Sequence, residues 1–310
     1  MFSKNLEINE YNITEAQLQK LEVLHQKAIS VLQSTYPQLV PQQEFYTNID
    51  CILRFLTARE FDPTKAFDMW KKWVDWRLSY KPEQISPTEE CIKKQIETGK
   101  LLWHKTDKGN RPCLYYRMKY HVPNLADLDN NLRFLVHMIE QGCAEADKLG
   151  SRQICVIYDR RGYTKKQQDP NSMKAMKLLI PILQDYYPER LHCYYVMGAN
   201  WFFRAMFTVV KTFLSDKTAN KVKVLAADQD LLNYFEKHKL LLQYGGTSEP
   251  FGMLGDGMKS NSSGKIGGPK GDDGENEEEA PNEEEQKKMV QEMMKDFGVQ
   301  DSKVTLLKDK

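Results

Sequence analysis

Apolar residues recur at helical spacing in three stretches of the first hundred residues. Thr14 and Gln17, three positions apart, form a capping-box signature, and Leu18, Leu21, Leu24, Ala28 and Val31 then repeat every three or four positions up to Pro37. This spacing predicts a first helix. A second runs through IDCILRFLTARE, and a third opens with Asp62 as N-cap and Pro63 at the first helical position, continuing through Ala66, Trp70, Trp73 and Arg77. After Gly99 the period changes. RPCLYYRMKY, QICVIYDRRG, LHCYYVMGA and KVKVLA are short β-branched or aromatic runs bounded by turn residues, which predicts strands. Helical patterns at 126–149, 170–186 and 201–214 separate them. The expected class is therefore α/β, with a helical amino-terminal subdomain over 1–99 and a domain with a largely parallel sheet over 100–250.

One helical stretch, NWFFRAMFTVVKTFLSDKTANKV, is apolar on more of its circumference than a surface helix needs. Its polar residues Arg204, Thr208, Lys211 and Thr212 form one narrow stripe, while Trp201, Phe202, Phe203, Met206, Phe207, Val209, Val210, Phe213 and Leu214 occupy the rest. An apolar stripe of roughly 100° is enough to seat a helix on a core. The remainder of this arc requires a second apolar partner.

Composition narrows the class. No run of about 18 apolar residues predicts a membrane span, and MFSKNLEINEYNITEAQ contains no apolar signal-peptide core, so the chain is expected in the cytoplasm. The six cysteines stand singly without metal-site spacing and are expected to be reduced and buried. A formal net charge of +1 conceals an asymmetry. Residues 271–310 hold six lysines against thirteen carboxylates, a net of −7, which leaves about +8 on residues 1–270. A basic body suits an anionic membrane surface. No zinc-finger spacing, RNA-binding strand signature or dense basic stripe points to nucleic acid. Residues 251–310 are expected to be an acidic disordered tail, because GDDGENEEEAPNEEE carries too little apolar surface to offset its chain entropy. Within it, Met289, Val290, Met293, Met294 and Phe297 recur at helical spacing and predict a short helix at 285–298 that suits a protein partner.

Catalytic signatures are absent from the sequence. There is no phosphate-binding G-x-x-x-x-G-K-S/T loop, no G-x-G-x-x-G after the first strand and no G-x-S-x-G elbow. The best catalytic candidate is Asp159 in YDRRG, at the strand end where open α/β sheets bind ligands. A lone aspartate before Arg-Arg-Gly is more often a turn former and ion-pair partner.

From Asp50 to Gly246 the chain resembles the CRAL-TRIO lipid-binding family, in the branch of the fungal phosphatidylinositol transfer proteins. The resemblance rests on LRFLTAREFDPTKAFDMWKKWVDWR, DKGNRP, YYPERL followed by HCYYVMGAN and SDKTANKV, and the closing YGG, in that order. It implies a lipid pocket closed by a mobile helix, here 201–214, whose Phe202, Phe203, Met206, Phe207, Val210 and Phe213 meet acyl chains. Arg204 and Lys211 would then meet an anionic membrane surface. It also implies a phosphoinositide headgroup site of Arg59, Glu189, Thr218 and Lys221, with phosphatidylinositol as the bound lipid and no other cofactor. Asp216 is expected to cap a short helix that sets Thr218 and Lys221 on one side, with free amides at its start. Three positions depart from the family pattern: Glu60 replaces a second basic residue, and Ile154 and Val156 replace the Ser and Thr of choline-lipid binders. The expected function is lipid binding and exchange between membranes, without enzyme activity. The competing readings are a protein-interaction scaffold of the same fold and an enzyme acting on an unidentified small molecule.

Overall fold

The computed structural model describes residues 11–249 together with Glu284, Lys288, Gln291, Glu292, Met294 and Lys295. The expectations for the rest of 251–310 lie outside the described residues. The described chain divides into two compact units: one holds the residues up to Gln84 together with Pro181–Arg190, the other Ile85–Ile180 and the residues from Leu191 on.

The first unit is helical. Helix α1 (Glu15–Thr35) begins with the expected capping box, in which the Gln17 amide donates to Thr14 Oγ1 and the Thr14 amide to Gln17 Oε1. After the short α2 (Gln43–Thr47) come α3 (Ile49–Ala58) and α4 (Pro63–Tyr80). Asp62 Oδ1 accepts the amides of Thr64 and Lys65 at 3.0 Å each, so the expected cap of α4 forms. Leu18, Leu21, Leu24, Phe55, Trp70 and Trp73 lie in one core. Tyr186 stacks on Trp76 with ring centroids 4.5 Å apart.

In the second unit, α5 (Glu90–Glu97) leads into a five-stranded sheet of order β1-β2-β3-β4-β5. The strands are β1 (Leu101–Thr106), β2 (Pro112–Arg117), β3 (Ile154–Asp159), β4 (Leu191–Met197) and β5 (Val222–Val224). β1 pairs antiparallel with β2, and the other three pairings are parallel. Helix α6 (Leu128–Lys148) connects β2 to β3, and α7 (Pro170–Tyr186) connects β3 to β4. The sequence reading missed β1, because LLWHKT lacks clean alternation; Lys105 is left-handed (φ 51°) where the register with β2 shifts.

Strand alternation divides the sheet into two faces. Cys113, Tyr115, Cys155, Ile157, Cys193, Tyr195 and Met197 point to one face and are covered by Leu231, Phe235, Leu240, Leu241 and Tyr244 from the turns after β5. The Gly245–Gly246 pair closes this layer for two separate reasons. Gly245 is left-handed (φ 80°), and a Cβ on Gly246 would lie 1.8 Å from the Leu240 carbonyl oxygen. All six cysteines are free, five buried and Cys91 half-buried.

Candidate functional site

The other face of the sheet is aromatic. Tyr116 of β2, Tyr158 of β3 and Tyr194 of β4 adjoin one another, with ring centroids 5.1 Å and 5.6 Å apart along the row. Burial raises the pKa of all three phenols, so their hydroxyls stay neutral and remain hydrogen-bond donors. Helix α8 (Trp201–Lys211) lies over this face, capped by Asn200 Oδ1, which accepts the Phe203 amide at 3.1 Å. Phe203, Met206, Val209 and Val210 are buried in one cluster with Met118, Tyr158 and Val196, and Met176 and Ile180 of α7 pack at its margin. Phe207 is half-buried and stacks parallel to Phe203 at 5.9 Å. Arg204 and Lys211 are exposed on the opposite side.

The helix is shorter than the apolar pattern suggested. It ends at Lys211, with Thr212 as C-cap, and Thr212 Oγ1 donates to the Val209 carbonyl at 2.8 Å. That local bond competes with further helix. Phe213 therefore lies beyond the helix and is 36% exposed.

The residues proposed for the headgroup divide between the two units. Arg59 is the C-cap of α3, half-buried, and its Nη1 donates to the Ala58 carbonyl at 3.1 Å. Glu60 and Phe61 follow in left-handed conformations (φ 52° and 58°), with Glu60 exposed. Glu189 is also left-handed (φ 56°) and half-buried. In the second unit, Thr218 belongs to the four-residue helix α9 (Asp216–Ala219). Ser215, rather than Asp216, is its N-cap and takes the Thr218 amide at 3.2 Å, so that amide is already used. Lys221 lies just past the helix; its amide donates to the Thr218 carbonyl at 3.1 Å, and its carbonyl accepts the Tyr194 amide at 2.9 Å. Thr218 and Lys221 thus share one turn, anchored to β4.

Asp159 is held in a structural ion pair. Arg161 Nε and Nη2 donate to its two carboxylate oxygens at 2.9 Å each, and Arg161 also pairs with Asp228. Burial lowers the Arg161 pKa, but these carboxylates more than offset it and raise it overall. A carboxylate engaged at both oxygens is poorly placed as a general base.

Two polar features escaped the sequence reading. Arg160, next to Asp159 on the chain, turns to the opposite face, where its guanidinium lies 4.8 Å from the centre of the Tyr163 ring and hydrogen-bonds with Tyr158. Strand alternation alone would have placed it there. The second feature is buried: Lys100 Nζ approaches His121 Nδ1 at 3.3 Å, and His121 Nε2 approaches Asp169 Oδ2 at 3.1 Å. Burial pushes the Lys100 ammonium down to about 8, against a partial upward pull from Asp169. His121 is lowered by burial and by Lys100. Ser172 Oγ approaches the same nitrogen, Nε2, at 3.4 Å. A nucleophile relay needs the acid and the serine on opposite ring nitrogens, so this trio does not form one. Among the described residues, no group of three His, Cys, Asp or Glu side chains is placed to hold a metal ion.

Comparison with known proteins agrees with this architecture. The CRAL/TRIO domain matches residues 96–246, and the CRAL/TRIO N-terminal domain matches residues 18–72. The chain is 29% identical over 237 residues to the SEC14 cytosolic factor of Yarrowia lipolytica, an alignment covering 72% of this chain and 45% of that protein. It is 26% identical over 228 residues to the phosphatidylinositol transfer protein CSR1 of Eremothecium gossypii, covering 67% and 50% respectively. The chain therefore spans about half the length, or less, of the first curated relatives it matches. The crystal structure of Sfh5 superposes with a TM-score of 0.65 at 17% identity, over 77% of this chain and 90% of that one. With both family domains matched in order, over a helical amino-terminal region and a mostly parallel sheet, the chain belongs to the CRAL-TRIO family.

Proposed function

We propose that this protein binds phosphatidylinositol or a related phospholipid between α8 and the aromatic sheet face and exchanges it between membranes. The observation that carries this reading is the buried apolar side of α8, set over Tyr158 and Val196. Extracting a lipid forfeits roughly 0.8 kcal/mol per methylene, so a carrier must offer comparable apolar surface. Four relatives carry phosphatidylinositol transfer in their names, two of them together with phosphatidylcholine, which supports the same reading. Affinity for the tails nearly cancels between bilayer and protein. Selectivity then falls to polar groups at the headgroup, and Arg59, Glu189, Thr218 and Lys221 are assigned that role by their match to the family. In this reading α8 is a mobile gate: Phe203, Met206, Phe207 and Val210 meet acyl chains, and Arg204 and Lys211 meet an anionic membrane. Ile154 and Val156, both buried and apolar, disfavour a choline-lipid site on β3.

Native mass spectrometry of the full chain from a eukaryotic host should show a phospholipid adduct. In a vesicle-to-vesicle assay, Lys221→Ala should lose most inositol-lipid transfer, because a charge-assisted bond to a buried phosphate is worth roughly 1.5–3 kcal/mol. Undiminished transfer would remove Lys221 from the headgroup site. A chain that carries no lipid and transfers none would instead favour the scaffold reading.

A further inference from the structure

The cluster beneath α8 contains one residue from far along the chain. Met294, in the acidic C-terminal segment, is 4% exposed and shares that cluster with Phe203, Met206, Val209 and Val210. The other described residues of the segment, Glu284, Lys288, Gln291, Glu292 and Lys295, are helical and exposed. Their offsets of 4, 7, 8 and 11 from Glu284 form a single polar stripe on a helix, and Met294 lies off it. In the sequence, Met289, Val290, Met293 and Phe297 recur on the side opposite the stripe. Short isolated helices are marginal in water, so helical order at these residues favours a surface to pack on. Methionine suits such a role, being unbranched and able to fill irregular apolar gaps.

We propose that the C-terminal segment carrying Met294 is an intramolecular occupant of the acyl-chain surface, docking against α8 and competing with lipid for it. The competition rests on the phospholipid reading above, whereas the docking rests on the burial of Met294. Charge favours the same arrangement, since residues 271–310 carry a net of −7 against a body of about +8. Arg204 and Lys211 are exposed on the side of α8 away from the Met294 cluster, so an anionic membrane attracts α8 while it repels the acidic segment. Arrival at such a membrane then weakens the hold of the segment and frees the surface where lipid is exchanged.

The test uses the full chain with Met294→Asp, which sets a carboxylate in the apolar cluster, and Gln291→Ala on the exposed stripe as control. Hydrogen exchange of amides 201–211 is measured without lipid or vesicles. Exchange at least tenfold faster in Met294→Asp, with the control unchanged, supports docking; identical exchange in all three proteins overturns it. Uptake of a fluorescent-acyl phosphatidylinositol from donor vesicles should be several-fold faster in Met294→Asp. Faster exchange with unchanged uptake overturns the competition. If no protein takes up lipid yet α8 exchange still accelerates, the phospholipid reading fails while the docking stands.

Discussion

At the scale of single residues, Lys100 is a charge that the second unit holds at a cost. Its ammonium is buried against the Phe134 ring and beside His121, and is pushed down to about 8. A base whose folded pKa lies below its unfolded value holds fewer protons folded than unfolded between the two. Its cost to stability is therefore complete below pH 8 and disappears as pH rises towards 10.5. Lys100→Met should be more stable than the parent by roughly 2–3 kcal/mol at pH 7, and this advantage should shrink steadily from pH 8 to 10.5. The comparison must be with the variant. Cys113, Cys155 and the buried tyrosines have raised pKa values and work in the opposite direction in the same window. Denaturant melts of both proteins across that range measure the difference, and a constant gap would mean that Lys100 is not the group titrating. No spacing in the sequence announces this cluster. Its members are 21 and 48 residues apart and meet only because the start of β1, the turn after β2 and the start of α7 converge.

Elements were more legible than contacts. The capping box of α1, the Asp62–Pro63 start of α4 and the four strands β2 to β5 follow from local patterns, because each rests on residues within a few positions. β1 has no such local pattern, and α8 is three residues shorter than its apolar run, because apolarity continues through Leu214 while Thr212 diverts the backbone bonding. This shortening sharpens a test of the gate. Phe207 packs on Phe203 within the cluster, whereas Phe213 is already partly in water. Phe207→Asp should therefore oppose both the closed form and membrane insertion, abolishing transfer while the far-ultraviolet dichroism is retained. Phe213→Asp should leave α8 hydrogen exchange in solution unchanged and slow only the vesicle-dependent step. Equal effects of the two substitutions on exchange without vesicles would mean that residues 201–214 act as one packed core element.

At the scale of the whole molecule, charge is divided unevenly along the chain. The segment from Gly271 to Lys310 carries −7 and the rest about +8, so the near-zero total conceals a basic body. No helix among the described residues is long and apolar enough to cross a bilayer. In the proposed cycle it is Arg204 and Lys211, exposed on α8, that meet the membrane. Each basic residue near an anionic leaflet contributes about 1 kcal/mol, within a Debye length of roughly 10 Å at 0.1 M salt. Replacing Arg204 and Lys211 with Gln should weaken binding to phosphatidylserine-containing vesicles by up to about 2 kcal/mol, roughly thirtyfold, at low salt. The loss should vanish on neutral vesicles, and also near 1 M salt, where screening falls to about 3 Å. Vesicle co-sedimentation across a salt series measures both. An effect that persists on neutral vesicles would assign these residues to packing of the helix rather than to the membrane, and the contact surface would then lie elsewhere on the basic body.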